Sequence, residues 1–138
     1  MKIAIYSIRF LFALLFIYNG IEKLFIPYDS SAFRESLPEN SDTFFEFYHL
    51  LQTTGFIYFV GFFQILCGVL LLFKRTYFLG SIMLTPILLC MVMTHVFITR
   101  NPSYLAFDSF LFLCNVYLIG YNFKKIKPAI LQPQQGWI

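Results

Sequence analysis

The sequence predicts an all-α fold, an integral membrane four-helix bundle with both termini cytoplasmic and a short extra helix in the first outer loop. Three observations carry that reading. Of the 138 residues, 59% are hydrophobic and only 12% charged, with a mean hydropathy of +0.71, whereas a soluble domain carries about 25% charged residues. So little polar surface cannot coat a soluble domain of this size, and the bilayer must be the solvent for much of the chain. Four apolar runs, residues 3–25, 56–73, 77–99 and 105–123, make up 83 residues, each close to the roughly 20 needed to cross a hydrocarbon core. Of the seventeen charges only Arg9, Glu22, Lys23 and Asp108 fall inside those runs. One membrane domain, residues 1–138, is the natural count. The runs are continuous rather than alternating, which favours helices over a membrane barrel.

The first run contains Lys2 in its flank and Arg9 in its body, and ends in Tyr-Asn-Gly-Ile-Glu-Lys, without the small-residue cleavage site of a secretory signal. The link over 26–55 is acidic, with Asp29, Glu35, Glu39, Asp42 and Glu46 against Arg34, and is broken by Pro27 and Pro38. Within it, Thr43-Phe-Phe-Glu46 has capping-box spacing before an apolar stretch, which predicts a short helix. A single helix from Thr43 to Lys74 would be about 48 Å long, more than a bilayer needs, so a break is expected at Thr53-Thr54-Gly55. Lys74-Arg75 joins the second and third runs in a tight hairpin. The tail, 124–138, carries Lys124, Lys125 and Lys127, and Trp137 as a surface anchor. Six basic residues flank one side and at most three the other, which puts the termini inside, in a plasma (inner) membrane.

Charged and polar groups within spans are costly and usually face the bundle interior. By helical spacing Arg9, Gly20 and Lys23 share a face of the first helix, and Gly61, Gln64 and Gly68 a face of the second suited to close packing. In the third run Thr85-Pro86 predicts a bend and a freed carbonyl. Asp108, Asn115 and Asn122 recur at spacing seven in the fourth, as a polar seam. Counting at about 1.5 Å per residue puts Arg9, Gln64, Thr85 and Asn115 in an inner layer, and Glu22, Lys23, His95, Asp108 and Arg100 in an outer one.

Each of these has a plain structural reading beside a functional one. Arg9 either snorkels to inner phosphates or is a buried structural or ligand-binding cation paired with Gln64 and Asn115. Glu22 and Lys23 read as an interfacial ion pair, Asp108 as a first-turn carboxylate favoured by the helix dipole, and His95 as a hydrogen-bonded packing residue or a ligand. His49 and His95 for haem, or Glu22, His95 and Asp108 for a metal, are thin constellations, and no metal site is expected. Cys67, Cys90 and Cys114 lack CxxC spacing and read as small core residues. No catalytic set, nucleotide loop or gathered basic face is present, so catalysis is not expected and nucleic-acid binding is excluded.

The stretch Arg9-Phe-Leu-Phe-Ala-Leu-Leu-Phe-Ile-Tyr-Asn-Gly20-Ile-Glu-Lys23-Leu resembles the first-helix pattern of the DoxX-like family, small four-helix integral membrane proteins: arginine, apolar run, glycine, lysine. Gly61-Phe-Phe-Gln64-Ile-Leu-Cys-Gly68-Val-Leu-Leu-Leu-Phe-Lys-Arg75 is similar to the family's second helix and basic turn. Arg9, Gly20, Lys23, Gln64 and Gly68 are the positions carried over. The family commonly has glutamate where Gln64 stands, so an arginine–carboxylate pair would here become an amide contact. The resemblance implies activities only loosely. The family name is attached to a subunit of a quinone-linked thiosulfate oxidoreductase, other members look like parts of bacterial membrane redox or detoxification complexes, and distant relatives resemble cargo receptors or assembly factors.

Three functional expectations follow. The first is a non-catalytic subunit or assembly factor working through a protein partner or as a homo-oligomer. The second is a redox component binding a quinone between the helices near Arg9, Gln64, Asn115 and Thr85. The third is an oligomeric small-solute carrier using the Asp108, Asn115 and Asn122 seam.

Overall fold

The computed structural model describes residues 2–26 and 41–130, with side chains over 3–26 and 42–123. The acidic link around Pro38 and the Trp137 anchor lie outside the described residues. Among the described residues there are five α-helices: α1 (Lys2–Phe25), α2 (Ser41–Thr53), α3 (Phe56–Leu72), α4 (Tyr77–Thr94), which continues into a π-helical turn (His95–Thr99), and α5 (Pro102–Ile130). No strand occurs among the described residues.

Among the described residues three helical stretches are long and apolar enough to cross a membrane: Ile3–Phe25, Tyr77–Thr99 and Pro102–Phe123. The second apolar run differs from this pattern. α3 has only 17 residues, short of the roughly 20 of a full crossing, and it joins α2 at a bend of 84°. The bend has a local cause. Gly55 adopts φ 75°, ψ 2°, the left-handed conformation that closes a helix C-terminus and that residues with a Cβ resist. The last carbonyls of α2 are taken by the preceding threonines: Thr53 Oγ1 donates to His49 O at 2.9 Å and Thr54 Oγ1 to Leu50 O at 2.7 Å. α2 begins at Ser41, so Thr43 lies inside the helix rather than capping it.

The turn between α3 and α4 is as tight as the lone Lys74-Arg75 pair implies. Thr76 Oγ1 donates to Leu70 O at 2.9 Å and Tyr77 N–H to Phe73 O at 3.1 Å. α5 starts three residues before the expected position, because Pro102 suits a first helical turn and Asn101 Oδ1 accepts the Ser103 N–H at 2.9 Å. It also runs on past Phe123, through Lys124, Lys125 and Lys127, to Ile130.

Packing follows chain order, α1 on α3, α3 on α4, and α4 on α5, with α1 against α3 the most extensive pair. Glycine sets that closeness. A Cβ on Gly20 would stand 2.6 Å from Gly61 O, and one on Gly68 3.0 Å from Ala13 O, so the backbones touch where any side chain would separate them. The apolar core joins Phe12, Ala13 and Phe16 of α1 to Cys67 and Leu71 of α3, Leu84 and Leu88 of α4, and Leu111 of α5. Large apolar side chains such as Phe10, Tyr18, Phe62, Phe110 and Leu113 stand exposed on the outside, as lipid-facing residues do. Of the cysteines only Cys67 is a buried core residue; Cys90 is exposed, contrary to its reading as core.

Candidate functional site: an apolar cavity and its polar rim

Arg9 is 5% exposed and closes the end of α3. Its Nε and Nη2 donate to Leu71 O at 3.2 and 3.0 Å, and Nη2 also to Leu72 O at 3.2 Å. These carbonyls have no partner within their own helix, and Thr76 serves that of Leu70. The guanidinium lies 4.1 Å from the Tyr77 ring centroid and 5.5 Å from that of Tyr6. Tyr77 in turn donates its hydroxyl to Asn122 Oδ1. The expected pairing of Arg9 with Gln64 and Asn115 is therefore replaced by a structural cap. Depth counted along the helix axis places the arginine Cα level with those amides, whereas its long side chain reaches down to the α3 terminus.

The seam on α5 is real and is matched from α4. Asp108, Asn115 and Asn122 are all buried. Asn115 Nδ2 donates to Ser81 O at 2.9 Å and to Thr85 Oγ1 at 3.0 Å, so Asn115 and Thr85 do meet. The carbonyl used is that of Ser81, the residue before the Ile82 carbonyl that Pro86, lacking an N–H, cannot serve. His95 Nε2 lies 3.1 Å from Asp108 Oδ2, an ion pair once the imidazole carries a proton, and His95 Nδ1 lies 3.2 Å from Thr99 Oγ1. The ring stacks on Tyr104 and tilts against Phe44 of α2. The π-helical turn holds it there: Arg100 N–H returns to His95 O at 2.9 Å, and Arg100 ends the turn at φ 51°. Glu22 is half-buried and acts on the neighbouring Lys23 electrostatically, but the two make no direct ion pair; the Lys23 Nζ turns instead to Asn19 O at 3.4 Å. No three His, Cys, Asp or Glu side chains converge among the described residues.

Gln64 stands apart from both groups. It is 1% exposed and its Oε1 has no hydrogen-bond partner. It lines a cavity of about 540 Å³ between α3 and α4, at the end away from their hairpin, with α2 across it. Gly80 permits contact near the hairpin, where its Cβ would stand 3.1 Å from Cys67 O; farther along, the two helices leave space. The walls are mostly apolar, with Phe63, Met83 and Ile87 among them, and the polar groups are few: Gln64 toward the middle of α3, and Lys23, Tyr48, Thr94 and His95 nearer the α2 end. A volume of this size with a small number of placed polar groups is typical of a ligand site.

A family model described as DoxX matches residues 4–98, about two thirds of the chain. The chain belongs to the DoxX family. The match takes in α1 to α4 and most of the π-helical turn, hence every residue of the cavity wall, while α5 lies beyond it. Neither the curated proteins nor the solved structures compared contain a match. This DoxX protein thus has Arg9, Gly20, Gly61 and Gly68 in structural positions, and Lys23, Gln64 and His95 around the cavity.

The cavity escaped sequence reasoning because it is made by a helix folded back by 84° onto its neighbours. A signal was nonetheless present. Phe44, Phe47, Tyr48 and Leu51 have the i, i+3, i+4, i+7 spacing of an apolar helix face, and in the structure Phe44 is buried while the other three line the cavity.

Proposed function

We propose that this DoxX-family membrane protein is a non-catalytic subunit that crosses the bilayer four times, counting the bent pair as one crossing, and holds a lipid-soluble amphiphile in its cavity for a partner chain. The cavity is the observation that carries the reading: about 540 Å³ of space, partly open to the outside, has mostly apolar walls and a buried amide whose Oε1 lacks a partner; apolar walls without contacts and an unpaired amide both cost free energy. A molecule with an apolar body and a polar end recovers both. Filling the space tests it. Val60→Trp, on the cavity wall, should abolish binding of a fluorescent long-chain amphiphile to the purified chain in nanodiscs without lowering its melting temperature. Undiminished binding by the folded variant contradicts the reading.

Gln64 favours a second reading, a quinone-linked redox component. An amide side chain donates to a quinone carbonyl and accepts from a quinol hydroxyl, and Gln64 lies in the cavity wall. In this reading the quinone site expected beside Arg9 moves to the cavity. Gln64→Leu should then weaken a short-chain quinone analogue about tenfold, the worth of one well-made hydrogen bond, and an unchanged affinity removes the quinone.

A further inference from the structure

We infer that the amphiphile held in the cavity is a long-chain carboxylate, with its head on Lys23 and its chain along the apolar wall toward Met83. The inference rests on the cavity-binding reading above and adds the chemical class of the polar end. Lys23 is the observation behind it. It lies near the end of α1, half-buried, in the cavity wall. Its Nζ donates only to the carbonyl of Asn19 on its own helix, at 3.4 Å, among the described residues. An ammonium has three donors and no acceptor, so at least two of its donors have no protein partner. No carboxylate among the described residues lies within ion-pair distance of it, and Glu22, next in the chain, is not part of the cavity wall.

Of the other polar groups of the wall, Tyr48 and Thr94 are neutral hydroxyls, and Thr94 Oγ1 already donates to Cys90 O at 2.8 Å. The His95 imidazole is already engaged by Asp108 on one nitrogen and Thr99 on the other. Gln64 is neutral and lies about a turn of α3 beyond Gly61, the residue whose Cβ would stand 2.9 Å from Lys23 Cβ. Charge-assisted hydrogen bonds to a carboxylate are among the strongest an ammonium makes, and they gain strength where water is scarce. A monoanionic carboxylate head would give the ammonium the direct charge-assisted partner that Glu22, acting on it only electrostatically, does not provide. A neutral alcohol, ester or quinone would leave the ammonium with no carboxylate in direct contact, only the electrostatic influence of the neighbouring Glu22. Phe59, Val60, Phe63, Met83 and Ile87 supply the apolar wall for a single chain.

Three ligands and two variants of the full chain in nanodiscs test this, read by displacement of a fluorescent fatty acid. Oleate should displace the probe, and its methyl ester, which keeps the chain and loses the charge, should do so about 10- to 100-fold more weakly, the worth of a charge-assisted bond. Lys23→Met should weaken oleate by a similar factor and leave the ester unaffected; Lys23→Arg, which keeps the charge, should stay within about threefold of the parent. Equal displacement by oleate and ester, or a Lys23→Met variant that binds oleate normally, overturns the carboxylate and leaves the cavity reading standing. Displacement by a quinone analogue with oleate inert likewise overturns it. If the fatty-acid probe fails to bind while a neutral long-chain amphiphile still binds, the carboxylate alone is overturned; if neither binds, the cavity reading falls as well.

Discussion

The Arg9 guanidinium lies over the ring of Tyr77, 4.1 Å from its centroid, while donating three hydrogen bonds to the terminal carbonyls of α3. Through Tyr77, whose hydroxyl reaches Asn122, the contact ties α1, α3, α4 and α5 at one level. The most expensive residue in the first span is thereby a fastening. Arg9→Leu leaves the carbonyls of buried Leu71 and of exposed Leu72 without these partners. Each unsatisfied group costs roughly 1–3 kcal/mol, so a loss of about 2–4 kcal/mol is expected. Arg9→Lys, which cannot fork onto two carbonyls, should recover less than half of it. Thermal unfolding in mild detergent measures both, with amphiphile binding at the cavity retained below the melting transition.

Glycine packing between α1 and α3 gives a sharper contrast. Gly20→Ala puts a Cβ 2.5 Å from Ile65 Cγ1 and 2.6 Å from Gly61 O. A side chain can turn aside but the backbone oxygen cannot, so about 1–3 kcal/mol should be lost to overpacking. Gly120→Ala meets nothing within 4 Å and should stabilise α5 by about 0.5–1 kcal/mol, the usual difference between these residues within a helix. Melting temperatures of the two variants should move in opposite directions.

The seam between α4 and α5 should contribute less than its burial suggests. Asn115 donates to Ser81 O and Thr85 Oγ1, yet its own Oδ1 has no partner. Asn115→Leu removes both the bonds and the unsatisfied acceptor, and interhelical hydrogen bonds in membranes average about 0.6 kcal/mol. A loss near or below 1 kcal/mol is expected, smaller than for Arg9→Leu, and a double-mutant cycle with Thr85→Val should show coupling of similar size.

Cysteine accessibility reports on the cavity directly. Cys90 is exposed and part of the wall, whereas Cys67 is buried in the core. A membrane-permeant maleimide should modify Cys90 well ahead of Cys67, and a bound amphiphile should slow the Cys90 reaction while leaving Cys114 unchanged. Peptide mass mapping after timed exposure distinguishes the sites.

Much of the helical layout is legible from residue types alone. Runs of Leu, Ile and Phe mark three of the stretches able to cross a bilayer, Gly61, Gln64 and Gly68 mark a buried face, and the spacing-seven seam of Asp108, Asn115 and Asn122 is buried as expected. Gly55 marks the break after α2 as well. What pattern alone cannot supply is the reach of side chains and the direction of the chain after a break. Arg9 and Gln64 are level by residue count, yet one side chain extends to the end of α3 and the other stays at the cavity wall. Likewise the angle of α2 decides whether its aromatic face meets lipid or closes a cavity. That angle depends on the left-handed Gly55 and on contacts with α3 and the π-helical turn.

The most direct measurement of the cavity-binding account is photolabelling with a long-chain amphiphile carrying a diazirine along its chain, applied to the full chain in nanodiscs and mapped by mass spectrometry. Labels that concentrate on Phe47, Phe63, Met83 and Met91, and that are suppressed by excess unlabelled amphiphile, are the result the account predicts. Labels spread over lipid-facing residues such as Phe10, Phe62 and Phe110, with no suppression by competitor, would contradict it.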